Sequence, residues 1–144
     1  MISSRHLLLW ALFLAAPLLS ACSNKPQPAQ LSGKVIFKGQ PVPAGYISFT
    51  PDVEKGNLGQ IRVLQIRDGV YDSSKEDEPG INPGPYFVEI AGFDGKRIPK
   101  FGQGKQIFNP VREDFTVPPG STTKDFVIPD SAGENVRIQP TADT

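Results

Sequence analysis

The chain has 144 residues, in which 15 Lys and Arg balance 15 Asp and Glu, with one His, one Cys, one Trp and one Met against 14 Gly and 15 Pro. A chain of this length holds one domain around one core, which excludes a second catalytic domain. Zero net charge supplies no basic field for nucleic acid or anionic lipid, and a lone Cys excludes an internal disulfide.

Residues 1–22 carry Arg5 beside His6, an apolar run from Leu7 to Leu19, and then small residues. A short basic start, an apolar stretch and a small-residue end form the layout of a secretory signal peptide. The run would span only about 20 Å as a helix, short of the roughly 30 Å hydrocarbon core, and Pro17 would break its far end. A transmembrane helix is therefore not expected, and the absence of a polar face argues against a buried core helix.

Leu19-Ser20-Ala21-Cys22 resembles the bacterial lipobox, a Leu and two small residues before an obligatory Cys. The resemblance implies a diacylglycerol on the Cys22 thiol, cleavage just before it and acylation of the new amino terminus. The membrane would then be a partner through the lipid anchor, since two or three acyl chains hold a protein stably where one does not. An ordinary secretory signal followed by an accidental Cys is the alternative. No Arg-Arg pair is present, which favours the general secretory route. Ser23, not Asp, follows Cys22, so the resemblance points to the outer membrane, facing the periplasm or the cell surface. Residues 23–30, polar and broken by Pro26 and Pro28, read as a semi-extended tether reaching about 25 Å. The expected division is a signal peptide at 1–21, a lipidated Cys and tether at 22–30, and one domain at 31–144 with 131–144 as a loose tail.

Everything after Cys22 lacks His, Cys, Trp and Met. That removes Ser-His-Asp and Cys-His nucleophilic machinery, the usual zinc ligand sets, haem and iron–sulfur clusters. Two carboxylates alone can hydrolyse a glycoside, but they need a deep cleft that a small sandwich rarely provides. No enzyme activity and no cofactor are expected.

After Cys22, no stretch of ten residues runs without Gly or Pro, which leaves little room for helices. In chain order, Leu31, Gly33, Val35 and Phe37 alternate with Ser32 and Lys34 as a half-buried strand. A turn at residues 38–41 leads to a second strand at 46–50, with Ile47 and Phe49 on one face. Residues 60–66 form a third strand whose blurred alternation, Ile61 and Val63 against Leu64 and Ile66, suggests cover on both faces. Asp68-Gly69 is a tight-turn dipeptide before a short strand at 70–72. Strands follow at 85–91, 114–117, 124–128 and 136–138. About seven short strands separated by turns read as an all-β fold, a single antiparallel β-sandwich.

Three segments carry a resemblance: SGKVIFKGQPVPAGYISF at 32–49, IRDGVY at 66–71 and GPYFVEI at 84–90. Together they look like the carboxypeptidase regulatory-like domain, a resemblance that covers about residues 31–92 and implies a transthyretin-like or Ig-like sandwich. That family brings a fold and no catalytic residues. Hydroxyisourate hydrolases share the fold and depend on His, which is absent after Cys22. Tyr71 and Tyr86 are expected to cap core layers with the ring inside and the hydroxyl wet.

Residues 92–113 form a long connection carrying Lys96, Arg97, Lys100, Lys105 and Arg112 around Phe93, Phe101 and Phe108. Loops of this length are uncommon unless functional or loosely ordered. Cations interleaved with aromatics could contact an envelope protein, an anionic polymer or lipid head groups. The plainer reading, phenylalanines tucked over an open end of the sandwich with the cations solvated, is preferred. Glu76-Asp77-Glu78, near Asp68 and Asp72, lacks the alternating spacing that wraps calcium and reads as an exposed acidic turn, so no metal is expected. Tyr46, Tyr71 and Tyr86 could stack on sugars, although packing roles suit them better. The expected role is a structural or protein-interaction module, and the alternative is a carbohydrate-binding module for envelope or extracellular polysaccharide.

Overall fold

Two hairpin turns show how closely local sequence sets this fold. Lys38 and Gly39, with φ of 49° and 72°, join β1 (Gln30–Phe37) to β2 (Gln40–Pro41). Asp68 and Gly69, with φ of 51° and 76°, join β4 (Arg62–Arg67) to β5 (Val70–Asp72). Two successive positive φ values match the right-handed twist of the flanking strands, which is why Gly takes the second position of each pair and Asp, which tolerates this region, the first position of one. The computed structural model describes residues 27–77, 79–96 and 102–136.

The remaining strands are β3 (Ala44–Pro51), β6 (Gly84–Phe93), β7 (Val111–Val117), β8 (Ser121–Thr123) and β9 (Phe126–Ile128). The order is β2-β1-β5-β4-β3-β6-β7, with every neighbour antiparallel; β8 and β9 add to β1 in parallel. The sheet curls, so that β1 and its neighbours share one core with β4-β3-β6-β7, and the protein is an all-β, sandwich-like fold. Register places Ile47 between Leu64 and Ile90, and Phe49 beside Val88. Leu31, Val35, Phe126 and Ile128 join them in the same buried cluster. The period of two puts these side chains inward and their neighbours outward.

Gly33 interrupts the inward row of β1 for a specific reason. A Cβ there would collide with the Lys124 carbonyl, which accepts the Tyr71 hydroxyl at 2.6 Å. Tyr71 is buried and its hydroxyl is not wet; burial, then the nearby Asp125 and Glu113 charges, push its pKa well up. The Tyr86 hydroxyl likewise donates to the Asn82 carbonyl at 2.8 Å, four residues upstream. Both rings are therefore core members with internally satisfied hydroxyls.

Several boundaries differ from the sequence expectation. Strand β4 starts at Arg62, and Ile61 and Val63 are exposed, so only its Leu64 and Ile66 face is covered. Strand β7 begins at Val111, ahead of the expected Asp114, because Val111 and Glu113 pair with Ile90 and Val88. Strand β8, Ser-Thr-Thr, carries no apolar alternation to reveal it and is held by backbone pairing to β1. The fold also takes in Ala29, which is buried and bridged to Ile81, and Gln30, which opens β1. At the other end, Ala132 packs on the core and its carbonyl accepts the Asn109 N–H at 2.7 Å, so 131–135 is docked. Val136 lies in no strand, and residues 137–138 lie outside the described residues. Among the described residues no helix is long and apolar enough to cross a membrane.

Candidate functional site

Strand direction sorts the connections into two ends. At one end lie the start of β1, the β3–β4 connection at 52–61, the 73–83 segment and the start of β6. At the opposite end lie the two tight turns and the described parts of the β6–β7 connection, residues 94–96 and 102–110. Strand β6, 10 residues long, joins the two ends. It spans about 33 Å at the usual rise per residue.

The lipobox residues Leu19, Ser20, Ala21 and the candidate lipidation site Cys22 lie outside the described residues, as do Arg97, Lys100 and Phe101. The other residues of the long connection take separate places. Phe108 is fully buried, 5.0 Å from the Phe37 ring centroid, and closes the far end of the core against Gly92. Phe93 is half-buried, its ring 6.2 Å from that of Tyr46. Arg112 belongs to β7 and pairs with Glu89 of β6 at 2.6 Å. Lys96 and Lys105 are exposed, and they are the two cations of the connection's described part that reach solvent at the far end.

Asp94, not singled out from sequence, organises the connection. Its Oδ1 accepts the backbone N–H groups of Lys96 and Lys105, each at 3.0 Å. Those donors, with the Lys96 bond the largest effect, hold its carboxyl below the usual range. Further bonds from Asp94 N–H to Lys105 O (2.9 Å), Gly95 N–H to Gln103 O (3.0 Å) and Ile107 N–H to Gly92 O (3.0 Å) continue the β6 edge. The described part of the connection is thus an ordered extension that carries its lysines outward.

The outward face of β3-β6-β7 forms a second feature that alternation alone could not locate. An open depression of about 520 Å³ is lined by Ser48, Thr50, Phe87, Glu89, Arg112 and Asp114. Phe87 is 45% exposed there, and the Lys55 ammonium lies 5.6 Å from its ring centroid. Lys55 also pairs with Asp52 at 2.8 Å and Asp114 at 3.4 Å. The floor is therefore an aromatic ring bordered by hydroxyls and mutually neutralised charges.

The acidic residues at 68–77 act separately. Asp72 accepts the Ser74 hydroxyl at 2.6 Å and N–H at 2.9 Å, capping the turn at Ser73–Lys75; those bonds hold its carboxyl below the usual range. Glu76 accepts the Gln65 N–H at 3.0 Å, and Asp68 sits in the left-handed turn. Among the described residues no three His, Cys, Asp or Glu are grouped to hold a metal ion. Glu78 lies outside the described residues. No family model matches this chain, and no curated protein is significantly similar to it.

Proposed function

We propose that the protein is a non-enzymatic envelope lipoprotein, held by a lipidated Cys22 and presenting a carboxypeptidase regulatory-like sandwich as a structural or protein-interaction module. The observation that carries this reading is the placement of ends: the amino-terminal segment joins the domain at Ala29, and the 94–110 connection with Lys96 and Lys105 lies at the opposite end. An anchor at one pole turns the other pole away from the bilayer, toward the periplasm or the cell surface. The chain after Cys22 contains neither His nor Cys, and a lipidated Cys22 is no free thiol, so the common His- and Cys-based nucleophile–base pairs are absent.

Cells fed a labelled fatty acid and expressing the protein with a photo-cross-linking residue in place of Lys105 test both parts. The wild-type Cys22 chain is expected to carry label and to cross-link to a defined envelope protein, and Cys22→Ala is expected to lose both. Label retained in Cys22→Ala, or a soluble product that keeps residues 1–21, overturns the anchor. A second reading, binding of a polysaccharide strand, is supported by the Phe87 depression, because a pyranose ring stacks its apolar face on an aromatic and hydrogen-bonds at its rim. Salt-resistant glycan binding that is lost in Phe87→Ala, with no protein cross-link, would select it.

A further inference from the structure

The three most exposed large apolar side chains at the amino-terminal end lie on one connection. Residues 52–61 present Val53 at 64%, Leu58 at 86% and Ile61 at 61% exposure. Singly exposed apolar residues are ordinary on a protein surface, but three on one short segment are a feature that calls for a partner.

This segment is built to hold its shape. Asp52, only 2% exposed, accepts the Lys55 N–H at 3.1 Å and pairs with the Lys55 ammonium at 2.8 Å. The Asn57 N–H donates to the Asp52 carbonyl at 3.0 Å, and Asn57 Nδ2 donates to the Pro85 carbonyl at 2.8 Å. Asn57 Oδ1 then accepts the Gly59 N–H at 3.0 Å. The buried Asn57 side chain and the Asp52 N–H thus tie the loop to Pro85 at the start of β6, the buried Asp52 carboxylate holds its turn at Lys55, and Leu58, between Asn57 and Gly59, is directed into solvent.

Its position identifies the partner. Pro28 borders a cleft with Leu58, Gly59 and Gln60, so the amino-terminal segment leaves the domain beside the apolar loop. Pro28 lies six residue steps from Cys22, and covalent geometry limits that span to about 21 Å. A lipid on Cys22 would hold this end of the domain within that distance of the bilayer.

We infer that the 52–61 loop docks on the phospholipid surface that holds the anchor, with Val53, Leu58 and Ile61 seated in the head-group interface. The inference rests on the anchor reading of Cys22. Docking at this end orients the domain with the 94–110 connection outward, instead of leaving it free to tumble on its tether. Lys55 is already neutralised by Asp52 and Asp114, and Glu54 lies beside it, so the attraction is apolar and not electrostatic. Three side chains bind a membrane weakly alone, but the anchor supplies a high effective concentration.

The test uses the only tryptophan, Trp10, as an opportunity. The full chain carrying Trp10→Phe and Leu58→Trp has a single reporter on the loop. A second chain with Trp10→Phe and Gln40→Trp places it at the opposite end, also exposed. Both are purified from membranes and reconstituted into phosphatidylethanolamine–phosphatidylglycerol vesicles with brominated acyl chains. Emission at position 58 is expected to fall about twofold relative to unbrominated lipid, as for a side chain in the head-group and acyl boundary, with position 40 unchanged. High salt is expected to leave the quenching in place. An unquenched reporter at position 58 overturns the docking, and unquenched but blue-shifted emission places the loop against protein instead. Mass spectrometry of the Cys22 peptide reads the anchor independently. If it carries no acyl chain, the thiol is coupled to a maleimide lipid in the same vesicles and position 58 is read again, so a failed anchor and a failed docking give different results.

Discussion

Phe108 shows what a single residue contributes here. It follows Ile107 in an otherwise mostly polar, Gly-rich connection, and its ring is fully buried between Phe37 and Gly92 and closes one end of the core. Truncating a buried Phe removes transfer energy and leaves a cavity, so Phe108→Ala is expected to destabilise the fold by about 3–5 kcal/mol. Urea unfolding monitored by circular dichroism would measure it, and a change under about 1 kcal/mol would mean the ring is dispensable. Tyr71 and Tyr86 teach a related lesson. Their alternation marks them as inward, but only tertiary contacts show that their hydroxyls reach the Lys124 and Asn82 carbonyls.

At the scale of the element, β7 is the strand most open to unwanted pairing, since at 7 residues it is the longest described strand that pairs on one side only, with β6. Its inward row is Val111, Glu113, Phe115 and Val117. Glu113 pairs with Lys124 at 3.0 Å, while the Lys124 ammonium lies 5.6 Å from the Phe115 centroid and 5.1 Å from that of Phe126. An inward-pointing charge on an edge strand makes it a poor template for another chain. Glu113→Val would complete an unbroken apolar alternation and leave Lys124 without its carboxylate. The variant is expected to associate with rising concentration, read as an increase in mass by light scattering, where wild type keeps a constant mass. Equal behaviour of the two would show that the pair does not guard the edge.

For the whole molecule, acid sensitivity follows from three carboxylates at three separate places, two in connections and Asp72 at the end of β5. Asp52 is held below its usual pKa chiefly by the Lys55 side chain, Asp72 chiefly by the Ser74 hydroxyl, and Asp94 chiefly by the Lys96 N–H. A folded-state pKa below the unfolded value, about 3.9, gives stability that is full above that value and lost as pH falls through the folded one. No side chain after Cys22 ordinarily titrates between pH 5 and 8. The thermal midpoint is therefore expected to be flat from about pH 5 to 8 and to fall below about pH 4. Asp94→Asn is expected to make that fall shallower, and an unchanged slope in this variant would exclude Asp94 as a contributor.

Sequence by itself determined the β class and much of its local geometry. Alternation at Leu31, Val35, Ile47, Phe49, Val88 and Ile90 is a period-two signal that depends on burial of one face, and Asp68-Gly69 is a turn signal that depends on φ alone. It also placed every His, Cys, Trp and Met at or before residue 22. Other features depended on contacts between segments distant in the chain. Strand β8 exists because β1 offers it a backbone edge, Ile61 and Val63 are exposed because nothing packs over that side of β4, and Asp94 matters because Lys105 returns beside it. The same holds for the apolar loop beside Pro28: Leu58 is 30 positions away in sequence, and only the closing of the sheet brings the two to one end.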